Sequence, residues 1–241
     1  KVVLRTKRWN KRRKEETWVF DPDGPQPESV ALIHCVGSRD SNHNRYCSRV
    51  CCMYSLKFAH LIKEKIPQAT CHQFYIDMRA FGKGYEEFFE RIKDEGVFVV
   101  RGRSARVVSS DGKMVVRGED IRQDKILELP VDMVVLAAGL EPASGTAALA
   151  QALGIEPDLD GWFTELNYNS DPTGTSRGGI HVAGVCQGPK DIPDTVAQAA
   201  AVAARVLGSL ISGSIQSSHR RVPPEEIEQR AAQLAGSWTG E

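Results

Sequence analysis

The sequence predicts an α/β fold built on an open, mainly parallel sheet with an antiparallel β flap. From Ser29 onward, short apolar runs typical of buried strands alternate with segments whose apolar residues recur at helical spacing. Within this series, two β-rich runs flank Asp111-Gly112, a dipeptide typical of tight hairpins. Strands that alternate with helices favour a parallel sheet, and the hairpin adds an antiparallel part.

The predicted elements follow one another without a break. The apolar runs VALIHCV (30–36), CHQFYID (71–77), VFVVRG (97–102) and VDMVVLAAG (131–139) predict strands of the parallel sheet. Residues 48–65 predict a helix that stops before Pro67. Residues 84–96 predict an amphipathic second helix with Gly96 at its C-terminal end. The hairpin occupies residues 105–118.

Regular structure becomes sparser after Pro142. A short helix is expected at 145–154, followed by an irregular Gly- and Asp-rich stretch. Residues 178–211 predict a last strand, turn and helix, with the helix beginning near Pro193. The flanks differ in character: residues 1–28 are basic and then Pro-rich and predict an arm or linker, and 212–241 predict a polar tail with a helix after Pro223-Pro224.

Composition excludes several classes of function. The 241 residues carry 31 basic and 31 acidic side chains, so no net charge favours nucleic acid or an anionic membrane. No stretch reaches the ~18–20 uncharged apolar residues that span a bilayer. The most apolar run (197–211) contains Gln198 and Arg205, and we predict a packed helix there. The basic N-terminal residues lack the apolar segment of a signal peptide, so we expect a cytoplasmic protein.

Four of the six cysteines form the pattern C-x11-C-x3-C-C. Cys35 ends the first predicted strand, and Cys47, Cys51 and Cys52 lie at the start of the first predicted helix. In a dinucleotide-binding βαβ unit this turn carries G-x-G-x-x-G and places a pyrophosphate on the helix N-terminus. Here Gly37 alone remains of that motif, so we do not expect a nicotinamide dinucleotide to bind in the usual way.

Several kinds of sulfur chemistry fit this spacing. Cys47 and Cys51 share a helix face, whereas the adjacent Cys52 is rotated by about 100°. In an iron–sulfur cubane each cysteine binds a different iron atom, so the cluster accommodates the adjacent pair better than a single zinc ion does. The paired C-x2-4-C motifs that are usual in zinc sites are also absent. A redox disulfide, zinc, or inert packed thiols remain as alternatives. Helix N-terminal amides would favour thiolates, as would three arginines: Arg39, Arg45 and Arg49.

These cysteines are also part of a family resemblance. The segments CVGSRD…YCSRVCCMYSLK, FYIDMRAFGKGYEEFF and GVCQGPKDIPDTVAQA resemble the A subunit, a flavoprotein, of heterodisulfide reductase, over about residues 28–210. The resemblance implies a three-layer FAD/NAD(P)-binding fold like that of thioredoxin reductase. It implies a nicotinamide-like subdomain at 29–140 and the closing part of the FAD-binding domain at 141–211. It further implies a non-standard [4Fe-4S] cluster with four ligands: Cys35, Cys47, Cys51 and Cys52.

The resemblance also implies a flavin-binding segment. In residues 178–199 the predicted strand leads to a helix start whose exposed amides could face a flavin or its phosphates. Lys190 is a candidate donor to the isoalloxazine, although an exposed lysine on a turn is an alternative. The segment RAFGKGYEE (79–87) resembles another family segment. The candidate flavin contacts are Gly184, Gln187, Gly188, Lys190, Asp191 and Ile192, with Lys57 as a weaker candidate. Cys71 and Cys186 are expected to be packed or flavin-adjacent thiols.

One expected part is missing from the sequence. The G-x-G-x-x-G that cradles the ADP half of FAD is absent, and in the relatives it lies upstream, together with ferredoxin-type cysteine motifs. We therefore expect a fragment or one half of a split subunit, with an FAD site that is incomplete in this chain.

The sequence thus predicts an electron-transfer module of an oxidoreductase, relaying electrons between a [4Fe-4S] cluster and FAD, with no catalytic side chain assigned. The resemblance implies that activity requires a larger complex, with other subunits of a heterodisulfide-reductase-like assembly and ferredoxin-type carriers as partners; a homodimer is also considered. One alternative is a thiol–disulfide oxidoreductase using Cys47, Cys51 or Cys52. The other is a non-catalytic docking module with zinc or no metal.

Overall fold

The chain divides into two compact units, Lys1–Leu140 (unit 1) and Glu141–Glu241 (unit 2). The computed structural model describes residues 5–10, 15–20, 26–110, 112–215 and 224–237. The described elements of unit 1 are β1 (Arg5–Asn10), β2 (Glu15–Phe20), β3 (Ser29–Val36), α1 (Cys51–Lys65), β4 (Thr70–Tyr75), α2 (Tyr85–Asp94), β5 (Phe98–Arg101), β6 (Ser104–Ser110), β7 (Lys113–Asp120), β8 (Lys125–Val131) and β9 (Met133–Ala138). Those of unit 2 are α3 (Thr146–Leu153), a 3₁₀ helix (Gly184–Gln187), α4 (Ile192–Ser212) and α5 (Pro224–Ser237).

A four-stranded parallel sheet forms the centre of unit 1, in the order β5-β4-β3-β9. The central strand β3 pairs in parallel with both β4 and β9, so that Val30 lies between Cys71 and Met133. The helices α1 and α2 connect β3 to β4 and β4 to β5, as parallel neighbours require. The predicted parallel α/β sheet is confirmed, and each of its four predicted strands is present.

Unit 1 has three layers because the two faces of β3 are covered differently. Val30 and Leu32 point to a core formed with α1 and α2, which contribute Leu56 and Ile92 among others. Ala31 and Ile33 alternate with them and pack on the opposite face, against side chains of the antiparallel sheet such as Val116. Helices, parallel sheet and antiparallel sheet therefore form the successive layers.

The antiparallel flap is larger than the sequence predicted. The hairpin of β6 and β7 is confirmed, with Ser110 paired to Lys113; Asp111 lies outside the described residues. Gly112 has φ +78°, a conformation that favours glycine at a hairpin turn. A third strand, β8, pairs with β7 and was not predicted. It contains Pro130, which an edge strand tolerates because one side of its backbone has no strand partner.

Two regions differ from the sequence-based expectation. The segment predicted as an arm or linker contains the antiparallel pair β1–β2. The strand predicted within 178–184 is wrong: this stretch contributes one isolated bridge, between Gly174 and His181, before the 3₁₀ helix. A strand needs a neighbouring backbone to complete its hydrogen bonds, and no described strand of unit 2 supplies one.

Unit 2 has a small core and a long exposed helix. The core contains Ala150, Ile155, Phe163 and Val182. Helices α3, α4 and α5 confirm the three helices expected in this part of the chain. However, α4 has no buried residue, so the helix itself is confirmed but the prediction that it is packed is wrong. Within the described ranges, α4 is the one helix long and apolar enough to cross a membrane by length and composition, a criterion that core helices of soluble proteins also meet.

Candidate functional site

The cysteine motif lies where β3 ends and α1 begins. Cys35 is the last but one residue of β3, and the register between β3 and β9 shifts between Ile33 and Val36. Cys51 and Cys52 form the first turn of α1 and are buried, whereas Cys47 is half-buried in the preceding loop. The carboxyl end of a central parallel strand is a common place for binding sites in α/β sheets.

The backbone of this turn is locally strained. Four described residues other than glycine have positive φ, and three of them lie here: Cys35 (57°), Arg39 (55°) and Arg49 (57°). Positive φ costs free energy for residues with a Cβ and persists where surrounding contacts impose it. The strain therefore marks this segment as a candidate functional site.

Hydrogen bonds to the end of β9 fix the loop between Cys35 and Cys51, which we call the cysteine loop (residues 36–50). Ser48 Oγ accepts from the backbone amide of Leu140 at 2.9 Å and lies 2.6 Å from Ser38 Oγ. Tyr46 donates from its hydroxyl to the carbonyl of Leu140 at 2.7 Å. A Cβ on Gly139 would lie 2.4 Å from Ser38 Oγ, so glycine is needed for this close approach.

Three of the four motif sulfurs are hydrogen-bonded in a row, with Cys51 between Cys35 and Cys52. Hydrogen bonding with Cys35 and Cys52 lowers the pKa of Cys51 and raises the pKa values of its two partners. Burial reinforces the two increases. These hydrogen bonds therefore favour the thiolate form at Cys51 over the other two cysteines. Burial and the charge of this thiolate also raise the pKa of Tyr54 to about 12.

Backbone groups surround the other thiols. Cys47 Sγ accepts from the amide of Arg49 at 3.3 Å. Cys52 Sγ donates to the carbonyl of Asp77 at 3.8 Å and receives a backbone hydrogen bond from Arg79. Amides that donate to sulfur stabilise thiolates and sulfur-ligated metals alike.

Arg39 is the cation that the structure brings to the thiols. Its Nη2 donates to Asp77 Oδ2 at 2.7 Å, and this hydrogen bond raises the pKa of Arg39. Arg49, a second arginine expected to assist, contacts an aromatic ring. Arg49 lies over the ring of Phe81, 5.3 Å from its centroid.

The donor set fits an iron–sulfur group, although no metal-binding geometry is preformed. Among the described residues, no group of three or more His, Cys, Asp or Glu side chains is arranged to hold a metal ion. Binding therefore requires the thiols to exchange their mutual hydrogen bonds for bonds to iron. Four clustered cysteines, of which three are buried, are the ligands that such clusters use. A buried nitrogen of Arg39, Nη1, has no partner in the described part of the chain and can donate to sulfur.

The candidate flavin segment forms one turn of unit 2, at the start of α4. Gly184 (φ +75°) donates its amide to Gln198 Oε1 at 2.7 Å, and a Cβ there would lie 3.0 Å from Thr195. Gln187 donates to Glu165 at 2.6 Å. Asp191 is the N-cap of α4, and its carboxylate accepts from the amide of Asp194 at 2.9 Å. The side chain of Asp191 therefore has a structural role in capping the helix.

The remaining candidates have varied surroundings. Gly188 has φ +147°, Lys190 is half-buried, and Ile192 is exposed. Lys57 is exposed on α1, in unit 1 rather than with the other candidates. Cys71 is fully buried, and burial raises its pKa to about 12, whereas Cys186 is exposed.

Sequence reasoning missed two polar contacts next to the cysteines. Asp77 follows β4, the neighbour of β3, so the rule that adjacent parallel strands end at one edge of the sheet would have found it. His34 is buried beside Cys35, and its Nε2 lies 3.2 Å from Gln73 Oε1. Burial lowers the pKa of His34. No sequence pattern indicated the contact between His34 and Gln73.

Known proteins now place the chain in context. No family model matches it. It is 46% identical over 197 residues to the A subunit of the H(2):CoB-CoM heterodisulfide,ferredoxin reductase of Methanothermobacter marburgensis. This chain is a homologue of the heterodisulfide reductase A subunit. The match covers 80% of the chain but 30% of the relative, so the chain spans under a third of the length of that relative.

Further relatives agree with this assignment. The A subunit of the H(2)/formate:CoB-CoM heterodisulfide,ferredoxin reductase of Methanococcus maripaludis is 46% identical over 198 residues, which is 80% of this chain and 30% of the relative. A protein of Archaeoglobus profundus, named for its likeness to the same heterodisulfide reductase component, is 41% identical over 192 residues, or 79% of this chain and 27% of the relative. The expected resemblance to the heterodisulfide reductase A subunit is confirmed.

Solved structures confirm the fold. Thioredoxin reductases of T. acidophilum and Lactococcus lactis match with a TM-score of 0.50 each, at 15% and 17% identity. Each match covers 76% of this chain and 53% of the other. At such identities the likeness concerns the fold alone, which is the thioredoxin-reductase-like arrangement expected from the sequence.

Proposed function

We propose that the chain is an electron-transfer module of a heterodisulfide-reductase-like oxidoreductase, in which Cys35, Cys47, Cys51 and Cys52 hold a [4Fe-4S] cluster. The observation that carries this proposal is that three buried cysteines meet where β3 ends and α1 begins: Cys35, Cys51 and Cys52. Half-buried Cys47 completes the set from the cysteine loop. When bound, the cluster supplies one-electron transfer, and FAD links one-electron to two-electron chemistry.

The protein residues perform three tasks in this proposal. The cysteines provide thiolate ligands, and the lowered pKa of Cys51 favours its deprotonation. The amides of Arg49 and Arg79 donate to sulfur. The serine pair of the cysteine loop fixes the loop to the end of β9, which limits rearrangement around the ligands.

We assign FAD to unit 2 in the same proposal. The turn from Gly184 to Ile192 supplies a positive-φ glycine, a tight loop and the N-terminus of a 21-residue helix, all suited to a phosphate or a flavin edge. The contacts proposed are Gly184, Gln187, Gly188, Lys190, Asp191 and Ile192.

The names of the relatives suggest the complex in which the chain acts. We propose that the chain acts in the cytoplasm as part of a multisubunit complex, with other subunits and ferredoxin-type carriers as partners. A homodimer is one assembly to be tested. The oxidoreductase activity then belongs to the complex, since no catalytic side chain is assigned here.

Electron paramagnetic resonance tests the cluster. We expect chain purified without oxygen and reduced with dithionite to give a [4Fe-4S] signal that Cys47→Ser alters or removes. Cys71→Ser is the matched control, because this buried cysteine lies outside the motif, and it should leave the signal unchanged. A signal unaffected by Cys47→Ser would contradict the ligand assignment.

A fluorescence titration with FAD tests the flavin assignment separately. We expect flavin fluorescence to be quenched on binding, with weaker binding by Lys190→Ala and unchanged binding by Lys83→Ala. Equal affinities of the two variants would exclude Lys190 as a flavin contact.

One observation favours a second candidate, a thiol–disulfide oxidoreductase. The lowered pKa of Cys51 and its two thiol neighbours are suited to attack on a disulfide. Cys51 is only 2% exposed, however, which keeps a protein disulfide away from its sulfur. This candidate predicts an iron-free chain that reduces a small disulfide such as cystamine, and loss of that activity in Cys51→Ser.

A further inference from the structure

Arg39 occupies a distinctive place in the cysteine loop. Its backbone amide donates to the carbonyl of Tyr46, the residue before Cys47, at 3.0 Å. Its guanidinium pairs with Asp77, whose carbonyl oxygen lies 3.8 Å from Cys52 Sγ. The side chain of Arg39 therefore reaches from the cysteine loop to Asp77 after β4, beside Cys52.

The ion pair uses only part of the guanidinium. Nη2 binds Asp77, while Nη1 is buried and has no hydrogen-bond partner in the described ranges. A buried donor without a partner costs free energy, about 1–3 kcal/mol for a typical group and more for a charged one. A sulfur acceptor next to Nη1 of Arg39 would remove this free-energy cost.

Asp77 fixes the orientation of Arg39. One carboxylate oxygen accepts from Arg39 at 2.7 Å and the other from Arg101 at 3.4 Å. The side chain of Arg39 is 22% exposed and that of Arg101 is 47% exposed. The two arginines share one carboxylate, but Arg39 alone lies in the cysteine loop, so Arg101 is a matched comparison for charge.

We propose that Arg39, oriented by Asp77, is a positioning residue that donates from Nη1 to a sulfur of the cluster and raises its reduction potential. This inference rests on the proposed function, since it requires iron at the four cysteines. The physical reason is that reduction adds one negative charge to the cluster. A fixed positive charge and an N–H donor beside sulfur stabilise the reduced state more than the oxidised state.

Two measurements on the full chain, purified without oxygen, test this role. The first is a redox titration of wild type, Arg39→Gln and Arg101→Gln, with iron measured in each. We expect iron to be retained and the ratio of reduced to oxidised cluster at a fixed potential to fall about tenfold in Arg39→Gln, equivalent to about 59 mV for one electron. Arg101→Gln should shift it by less than a third of that amount.

The second measurement does not depend on how well Arg39→Gln folds. Wild-type chain containing arginine labelled with ¹⁵N in the guanidino group is reduced and studied by pulsed electron paramagnetic resonance. We expect a ¹⁵N coupling to the cluster spin that is present in Arg101→Lys and absent from Arg39→Lys. Guanidino labelling excludes the backbone amides of Arg49 and Arg79, which also lie beside sulfur.

The outcomes separate this inference from the proposed function. Iron-free wild type contradicts both. Full iron with no ¹⁵N coupling in wild type, or with coupling that persists in Arg39→Lys, contradicts the role of Arg39 alone. Equal shifts in Arg39→Gln and Arg101→Gln also contradict it, because they would indicate a general effect of charge.

Discussion

Two turns of the molecule lead into helices, and they are stabilised in different ways. The cysteine loop leads into α1, whose N-cap, Val50, provides no side-chain hydrogen bond. The turn before α4 is capped by Asp191 and has Pro193 in its first helical turn. The first turn thus depends on tertiary contacts with β9, whereas the second is specified by its own residues.

The two helices also differ in which face is covered. α1 buries Cys51, Leu56 and Ile62 among others against the sheet. On α4 the half-buried positions are mainly polar, as at Gln198 and Arg205. The exposed side includes Leu210 (74%) and Ile211 (78%). The cysteine site therefore leads into a helix packed on the core of unit 1, whereas the turn at Asp191 leads into a helix whose apolar side is left uncovered by the described residues.

The largest effect is expected where unit 1 is packed most closely. A Cβ on Gly102 would lie 1.7 Å from the carbonyl oxygen of Glu119, a backbone atom that cannot move alone. We expect Gly102→Ala to reduce the free energy of unfolding by about 3 kcal/mol or more, measured by urea denaturation. Gly145→Ala, which meets no atom within 4 Å, is the control. Similar small losses in both variants would contradict the close packing of the flap.

A smaller effect is expected from the ion pair that holds α4. Asp171 is 3% exposed and pairs with Arg205. Burial tends to raise the pKa of Asp171, but Arg205 and the amides of Gly174 and Thr173 outweigh it and keep the pKa below 3.8. Asp171→Asn should cost about 1–3 kcal/mol, measured by urea denaturation at pH 7, with the exposed Glu156→Gln as control.

The same pair predicts a pH dependence. Because the pKa of Asp171 is lower in the folded chain than in the unfolded chain, its contribution is complete at neutral pH. It is lost as the pH falls below about 4, where the unfolded chain takes up the proton first. Denaturation between pH 3 and 7 should show a smaller acid loss in Asp171→Asn than in wild type. Identical pH profiles would contradict the pairing.

The cysteine loop should respond to loss of one hydroxyl. Ser48→Ala leaves the amide of Leu140 without its acceptor and removes the contact with Ser38, so we expect a cost of about 1–2 kcal/mol. Ser41→Ala, at an exposed position of the same loop, is the matched control and should cost under about 0.5 kcal/mol. Equal stabilities by urea denaturation would show that β9 does not fix the loop.

The smallest effect has the opposite sign. Gly208 lies within α4, and a Cβ there meets no atom within 4 Å. Gly208→Ala should stabilise the helix by about 1 kcal/mol, or about fivefold slower amide hydrogen exchange in α4. Gly188→Ala should not protect these amides, because its φ of +147° is unfavourable for alanine. Unchanged hydrogen exchange in Gly208→Ala would mean that the low helix propensity of glycine does not limit the local stability of α4.

The sequence predicted the parallel sheet well because its strands are short apolar runs, and the central strand β3 is buried on both faces. It missed β8, where Lys125, Glu128 and Pro130 obscure the strand pattern and pairing with β7 decides the structure. It wrongly predicted a strand before Gly184, since local apolar residues cannot supply a partner backbone.

The candidate site was predictable only in part. Cysteine spacing indicated the four proposed ligands, and the structure brings three of those sulfurs together. The contribution of Arg39 depends on Asp77, 38 residues away in the sequence. Spacing along the chain cannot reveal such a contact, whereas strand adjacency can.

The most direct test of the account is the iron and acid-labile sulfide content of chain purified without oxygen. We predict about four of each per chain in wild type and in Cys71→Ala, and close to none in Cys35→Ala. Wild-type chain without iron under these conditions, or a full complement in Cys35→Ala, would contradict the account.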